Sequence, residues 1–178
     1  NRQLRGLTNA LQHPDLNVYI YTCVNQFNAT GLPDLIRAVA SWSETAGCAP
    51  PAIIMAFLKP VGDGLTHKSL LLPPLSDRAG IARKALSTAK ENGISIGFRN
   101  LQACLVPELT NYLVDYYVGD ASIDIATGIR APYEHQLSYQ HFAKTCTDCS
   151  HRNYCSGIYR DDDVGASAIL FRAIPRKT

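Results

Sequence analysis

LNVYIYTCV, residues 16–24, is rich in β-branched and aromatic side chains and carries apolar groups on both faces. That pattern predicts a strand covered on both sides in a parallel sheet. Residues 31–46 then place Leu32, Leu35, Ile36, Val39 and Trp42 at helical spacing, with Pro33 suited to the first turn and Gly47 closing the far end. AIIMAFL, residues 52–58, is a second continuous apolar strand, stopped by Pro60, Gly62 and Gly64 in an expected loop. A second amphipathic helix starts near Ser76, its expected N-cap. It carries Ile81, Ala82, Ala85, Leu86 and Ala89 on one face and ends at Asn92-Gly93. ISIGFR, residues 94–99, reads as a third strand. Strand, helix, strand, helix, strand is an α/β unit whose crossovers are long enough for parallel, right-handed connections. Three such strands leave two edges of buried type, so pairing partners for the sheet are expected outside this sequence.

Past Asn100 the pattern changes, which divides the chain into residues 1–100 and 101–178. Residues 101–117 predict a loop and a short helix with Leu109, Leu113, Tyr116 and Tyr117 on its apolar face. Residues 122–131 predict a short strand pair. A cysteine-rich turn, an acidic stretch at 161–163 read as a solvated loop, and an apolar run at 166–174 complete the sequence.

The whole has 178 residues, 46% of them hydrophobic, enough for a core in one medium domain or two small ones. Charged residues are 18% and the formal net charge is +2, which argues against nucleic acid as the main partner. The longest apolar run, residues 52–58, is far short of the roughly 18 residues of a membrane span, and no basic-then-apolar leader opens the sequence. Asn1 in place of methionine suggests a processed product or part of a longer polypeptide.

Three of the six cysteines fall within ten residues, at Cys146, Cys149 and Cys155, while the aliphatic content is ordinary. A small secreted scaffold distributes its cysteines through a chain that lacks a core, so this crowding predicts thiolates held for metal in a reducing, cytoplasmic compartment. Cys146-Thr-Asp-Cys149 with Cys155 after five residues brings three thiolates to one centre, and Cys104 is the candidate fourth ligand. Four thiolates suit either a [4Fe–4S] cluster or tetrahedral zinc. Cys23, in a predicted buried strand, and Cys48, past a helix end, read as small hydrophobes. His151 reads as a surface-loop histidine.

Residues 142–159, F-x3-C-x2-C-x5-C-x-G-x-Y, with Gly165 and Ile174-Pro175 beyond, resemble the C-terminal auxiliary-cluster segment of radical S-adenosylmethionine enzymes. Upstream, Cys23-Val24-Asn25, Asn28, Lys59-Pro60-Val61-Gly62 and Asn92-Gly93-Ile94 are similar to the last two β/α units of that family's partial barrel. The turn from Asn100 to Cys104 resembles the place of the first auxiliary-cluster cysteine.

The resemblance implies that residues 1–100 are C-terminal units of a partial (β/α)6 TIM barrel. Residues 101–178 would then hold an auxiliary [4Fe–4S] cluster on Cys104, Cys146, Cys149 and Cys155, and iron–sulfur gains over zinc. Where the larger SPASM pattern has a further cysteine this chain has Tyr159, which implies a single cluster of the shorter twitch type. The family's C-x3-C-x2-C loop, which binds the cluster that cleaves S-adenosylmethionine, is absent from this sequence. The chain is thus expected to be the C-terminal half of a longer enzyme, a separate subunit or a degenerate remnant. It would not be competent alone, and it would need an N-terminal half to bind S-adenosylmethionine and act on a peptide or small molecule.

Asn25 and Lys59, at strand ends, are candidates for the cofactor and substrate pocket. Tyr112, Tyr116, Tyr117, Tyr154 and Tyr159 are expected to pack over the cluster. The reading from a different class is a zinc-stapled, non-catalytic binding or scaffold module.

Overall fold

A computed structural model describes residues 2–13, 15–114, 121–123, 130–132, 140–152, 155 and 157–160. The expectations for Tyr116, Tyr117, Tyr154, Gly165, Ile174-Pro175 and the stretches 161–163 and 166–174 lie outside the described residues.

The chain begins with α1 (Arg2–Leu11) and β1 (Tyr19–Val24), then α2 (Leu32–Ala46) and β2 (Ala52–Phe57). Two short helical turns follow, α3 (Asp63–Thr66) and α4 (Lys68–Leu71), and then α5 (Leu75–Glu91) and β3 (Ile96–Arg99). The fold is mixed α/β, and its main sheet is three-stranded and parallel in the order β1-β2-β3. Ile20 pairs with Ile53 and Ile53 with Ile96, while Thr22 pairs with Met55 and Met55 with Phe98. Because neighbours in register share a face, these rows lie on one side of the sheet. They join Leu32, Ile36 and Val39 of α2 and Ala82, Ala85, Leu86 and Ala89 of α5 in a single core. α2 and α5 also contact each other, so both crossover helices cover the same face.

This one-sided packing corrects the reading of residues 16–24 as buried on both faces. Tyr19 and Tyr21 are 57% and 56% exposed, and Cys23 is exposed rather than a buried small hydrophobe. β1 is an edge strand of the described sheet, and its second face turns away from the side that the crossover helices occupy. Apolar composition alone does not tell a covered face from one that is merely coverable.

Most helix boundaries follow local chemistry. Pro33 sits in the first turn of α2, and Gly47, at φ +64, donates its amide to the carbonyls of Glu44 and Ser43. α5 starts after Pro74, one turn position before the expected cap. Ser76 lies inside the helix, and its hydroxyl donates to Asp77 Oδ1 at 2.9 Å. The loop expected after β2 contains α3 and α4, made possible by Gly64, whose Cβ would stand 2.5 Å from the Lys59 carbonyl oxygen.

α1 was not signalled by its surroundings, although Leu4, Leu7 and Leu11 mark one helical face, and none of its residues is buried. Among the described residues no helix is long and apolar enough to cross a membrane.

After β3 the expected short helix is two 3-10 turns, Ala103–Leu105 and Pro107–Tyr112, which bury Leu109; Leu113 beyond them is also buried. The expected strand pair is present as β4 (Ala121–Ile123) antiparallel to β5 (Arg130–Pro132). A two-residue ladder, β6 (Gln140–His141) with β7 (Ile158–Tyr159), closes the cysteine segment.

Candidate metal centre

Cys104 stands on the 3-10 turn that leaves the carboxyl end of the sheet. Leu101 and Ala103, both buried in the core, fix the path of that turn. The other three cysteines lie between β6 and β7. Cys146 ends a 3-10 turn, its carbonyl accepts the Cys149 amide at 3.3 Å, and the Cys155 amide donates to the His151 carbonyl at 2.9 Å. Arg152 lies over the Phe142 ring at 3.7 Å from its centroid and closes the loop from outside. Cys149 is buried, Cys104, Cys146 and Cys155 are half-buried, and no cysteine of the chain is in a disulfide.

The Cys104 thiol reports on the other three. Burial pushes it up to about 12, and the charges of Cys155, Cys146 and Cys149 push in the same direction. The fold thus brings the Cys104 thiol within electrostatic reach of three thiols that lie more than forty residues further along the sequence.

Among the described residues no three His, Cys, Asp or Glu side chains stand in an arrangement that could hold a metal ion. The two observations are compatible, because charge repulsion acts over many ångströms, whereas a metal–sulfur bond is about 2.3 Å long. A cation among the four sulfurs would outweigh both the burial and the mutual repulsion and draw the thiols in as thiolates.

The donor chemistry fits a thiolate-bound centre on two further counts. Gly157 donates its amide to Cys155 Sγ at 3.3 Å, the kind of contact that spreads thiolate charge. Gln102 Oε1, Gln140 Oε1 and His141 Nδ1 are buried without a hydrogen-bond partner among the described residues, and all three belong to the segments that carry the cysteines. Orphaned polar atoms of this kind are rare and call for a ligand or ordered group.

No protein-family model, curated protein or solved structure matches this chain.

The remaining candidates are placed less centrally. Asn25 follows β1, and its Oδ1 accepts the amides of Phe27 at 2.9 Å and Asn28 at 3.2 Å. Its oxygen therefore shapes the turn into α2. Lys59 is half-buried just past β2. Cys48 lies apart from the four, its thiol 3.8 Å from the Ser43 carbonyl oxygen. Tyr112 packs on the core beneath the Lys90 ammonium. Tyr159 is 4% exposed, and its hydroxyl donates to Asn100 Oδ1 at 3.3 Å. Asn100 itself was not singled out, though an asparagine directly after a strand is a frequent left-handed residue.

Proposed function

We propose that this chain is the C-terminal portion of a radical S-adenosylmethionine enzyme and that Cys104, Cys146, Cys149 and Cys155 hold its auxiliary [4Fe–4S] cluster. The observation that carries this reading is the hydrogen bond from the buried Tyr159 hydroxyl to Asn100 Oδ1 at 3.3 Å, which ties the end of the C-x2-C-x5-C segment to the turn that leads to Cys104. Support for residues 1–100 as C-terminal units of a partial (β/α)6 barrel comes from strand order. Consecutive parallel neighbours with both crossover helices on one face are what a barrel wall requires.

When bound, the cluster would supply one-electron chemistry next to the carboxyl ends of the strands. The chain's own residues do the rest. Cys104 gives up its proton on binding, and the Gly157 amide takes part of the charge on Cys155. The buried surroundings of Cys149 limit access of water. Asn25 and Lys59 stand at the rim where a peptide or small-molecule substrate would lie. S-adenosylmethionine would be bound together with an N-terminal half that carries the C-x3-C-x2-C loop, in a reducing cytoplasmic setting. The outer edge of β1, unpaired among the described residues, is the place where a preceding parallel strand would join.

Metal and sulfide analysis with an absorption spectrum, on protein purified without oxygen, tests the reading. About four irons and four sulfides per chain, lost on Cys149→Ala, are expected. Zinc without sulfide would instead establish a zinc-stapled scaffold, and a metal-free, colourless protein that takes up neither would refute both.

A further inference from the structure

Asn100 is the one non-glycine with positive φ among the described residues, at +58°. That backbone turns its side chain across the carboxyl end of the sheet. Its Nδ2 donates to the Phe57 carbonyl at the end of β2 at 2.8 Å, and its Oδ1 accepts the Tyr159 hydroxyl at 3.3 Å. One amide therefore joins β3, β2 and β7.

What hangs on either side of that amide is specific. Toward Cys104 the chain is pinned by Leu101 and Ala103, 5% and 1% exposed in the core. Toward Cys155 it is pinned by Tyr159, by the β6–β7 ladder and by the Gly157 amide on Cys155 Sγ. Leu101 and Ala103 fix only the Cys104 side, and a two-residue ladder is too short to hold a position by itself.

We propose that Asn100, acting through Tyr159, is the positioning residue that sets Cys155 and its loop against Cys104, so that the fourth thiolate closes on the same centre as the other three. This rests on the cluster reading above. Phenylalanine at position 159 keeps the buried ring and removes only the hydroxyl. Glycine at position 100 keeps the left-handed backbone and removes both side-chain hydrogen bonds.

The test uses the full chain loaded with ferrous iron and sulfide under anaerobic conditions, followed by mild oxidation with ferricyanide. On losing one electron, a cluster held by three thiolates sheds a ferrous ion and leaves a paramagnetic three-iron form, read by electron paramagnetic resonance. Conditions are set so that the wild type stays in its four-iron form. Tyr159→Phe is expected to raise the three-iron signal by roughly twofold to tenfold, the factor one hydrogen bond provides. Asn100→Gly should match it. Adding Tyr159→Phe to Cys104→Ala should raise the signal of that variant no further. A wild-type signal in Tyr159→Phe and Asn100→Gly overturns the positioning role, as does an undiminished effect on top of Cys104→Ala. A wild-type chain that takes up no iron and sulfide overturns the cluster reading and this inference with it.

Discussion

Replacing Gly157 with alanine should separate the cysteine loop from the rest of the fold. Gly157 has φ +85, where a side chain costs about 1–2 kcal/mol. Its new Cβ would stand 2.6 Å from the His141 carbonyl oxygen and 3.2 Å from the carbonyl carbon. These are backbone atoms of β6, so neither can swing aside as a flexible side chain would, and the His141–Ile158 pairing must open. Together the strain and the lost ladder amount to about 2–4 kcal/mol, a factor of roughly 30 to 1,000 against the native loop. None of these groups belongs to the main core, which runs from Val24 to Leu113. Far-UV circular dichroism of Gly157→Ala should therefore stay close to wild type while bound iron and sulfide fall steeply. A variant that keeps its cluster and unfolds at the wild-type urea midpoint would show that neither the turn nor the Gly157 amide shapes the centre.

Three further outcomes follow from other parts of the molecule. In the metal-free protein the native Cys104 thiol holds its proton up to about 12, against an ordinary value of 9.0. Stability is thus fully present below pH 9 and is lost as pH rises toward 12, by at most about 1.4 kcal/mol per pH unit and less where solvent screens the thiol. Urea midpoints measured from pH 8 to 11 should fall less steeply in Cys104→Ala. Asn25→Ala removes the acceptor for the Phe27 and Asn28 amides; it should cost about 1–2 kcal/mol by urea titration and leave iron content unchanged. Gly80→Ala, in α5 with nothing within 4 Å of the added Cβ, should raise the urea midpoint by the equivalent of about 0.5–1 kcal/mol.

The fold was legible where one residue has a single local solution. Pro33 and Gly47 bracket α2, the uninterrupted AIIMAFL run marks β2, and Asn92-Gly93 ends α5. The one-sidedness of β1 was not legible, because Tyr19, Tyr21 and Cys23 read the same whether or not anything lies over them. The start of α5 near Ser76 was legible, but its cap was not: Ser76 is a good cap by composition, while Pro74, with its fixed φ, takes the N-cap position two residues earlier. At the site, the spacing of Cys146, Cys149 and Cys155 placed the three on one short loop between β6 and β7. The place of Cys104 beside them is a tertiary fact, carried by the buried turn at Leu101–Ala103 and by Asn100, and no spacing rule contains it.

The cysteine segment and the sheet are coupled by the same few atoms, and that coupling has a direction. Four thiols gathered in a half-buried site repel as thiolates and gain little as thiols, so without a cation the cysteine segment has weak reason to close. Its regular structure among the described residues, one 3-10 turn and a two-residue ladder, is below the size that stands alone. What holds the segment near Cys104 in the absence of metal is the rim of the α/β unit: the buried Tyr159 ring and its hydrogen bond to Asn100. The α/β unit, by contrast, keeps its core whether or not the thiols are filled, since none of the four cysteines belongs to that core. On the cluster reading the sheet would therefore act as the template and the metal as the fastener, with the free energy of metal binding spent on ordering the loop rather than on folding the domain.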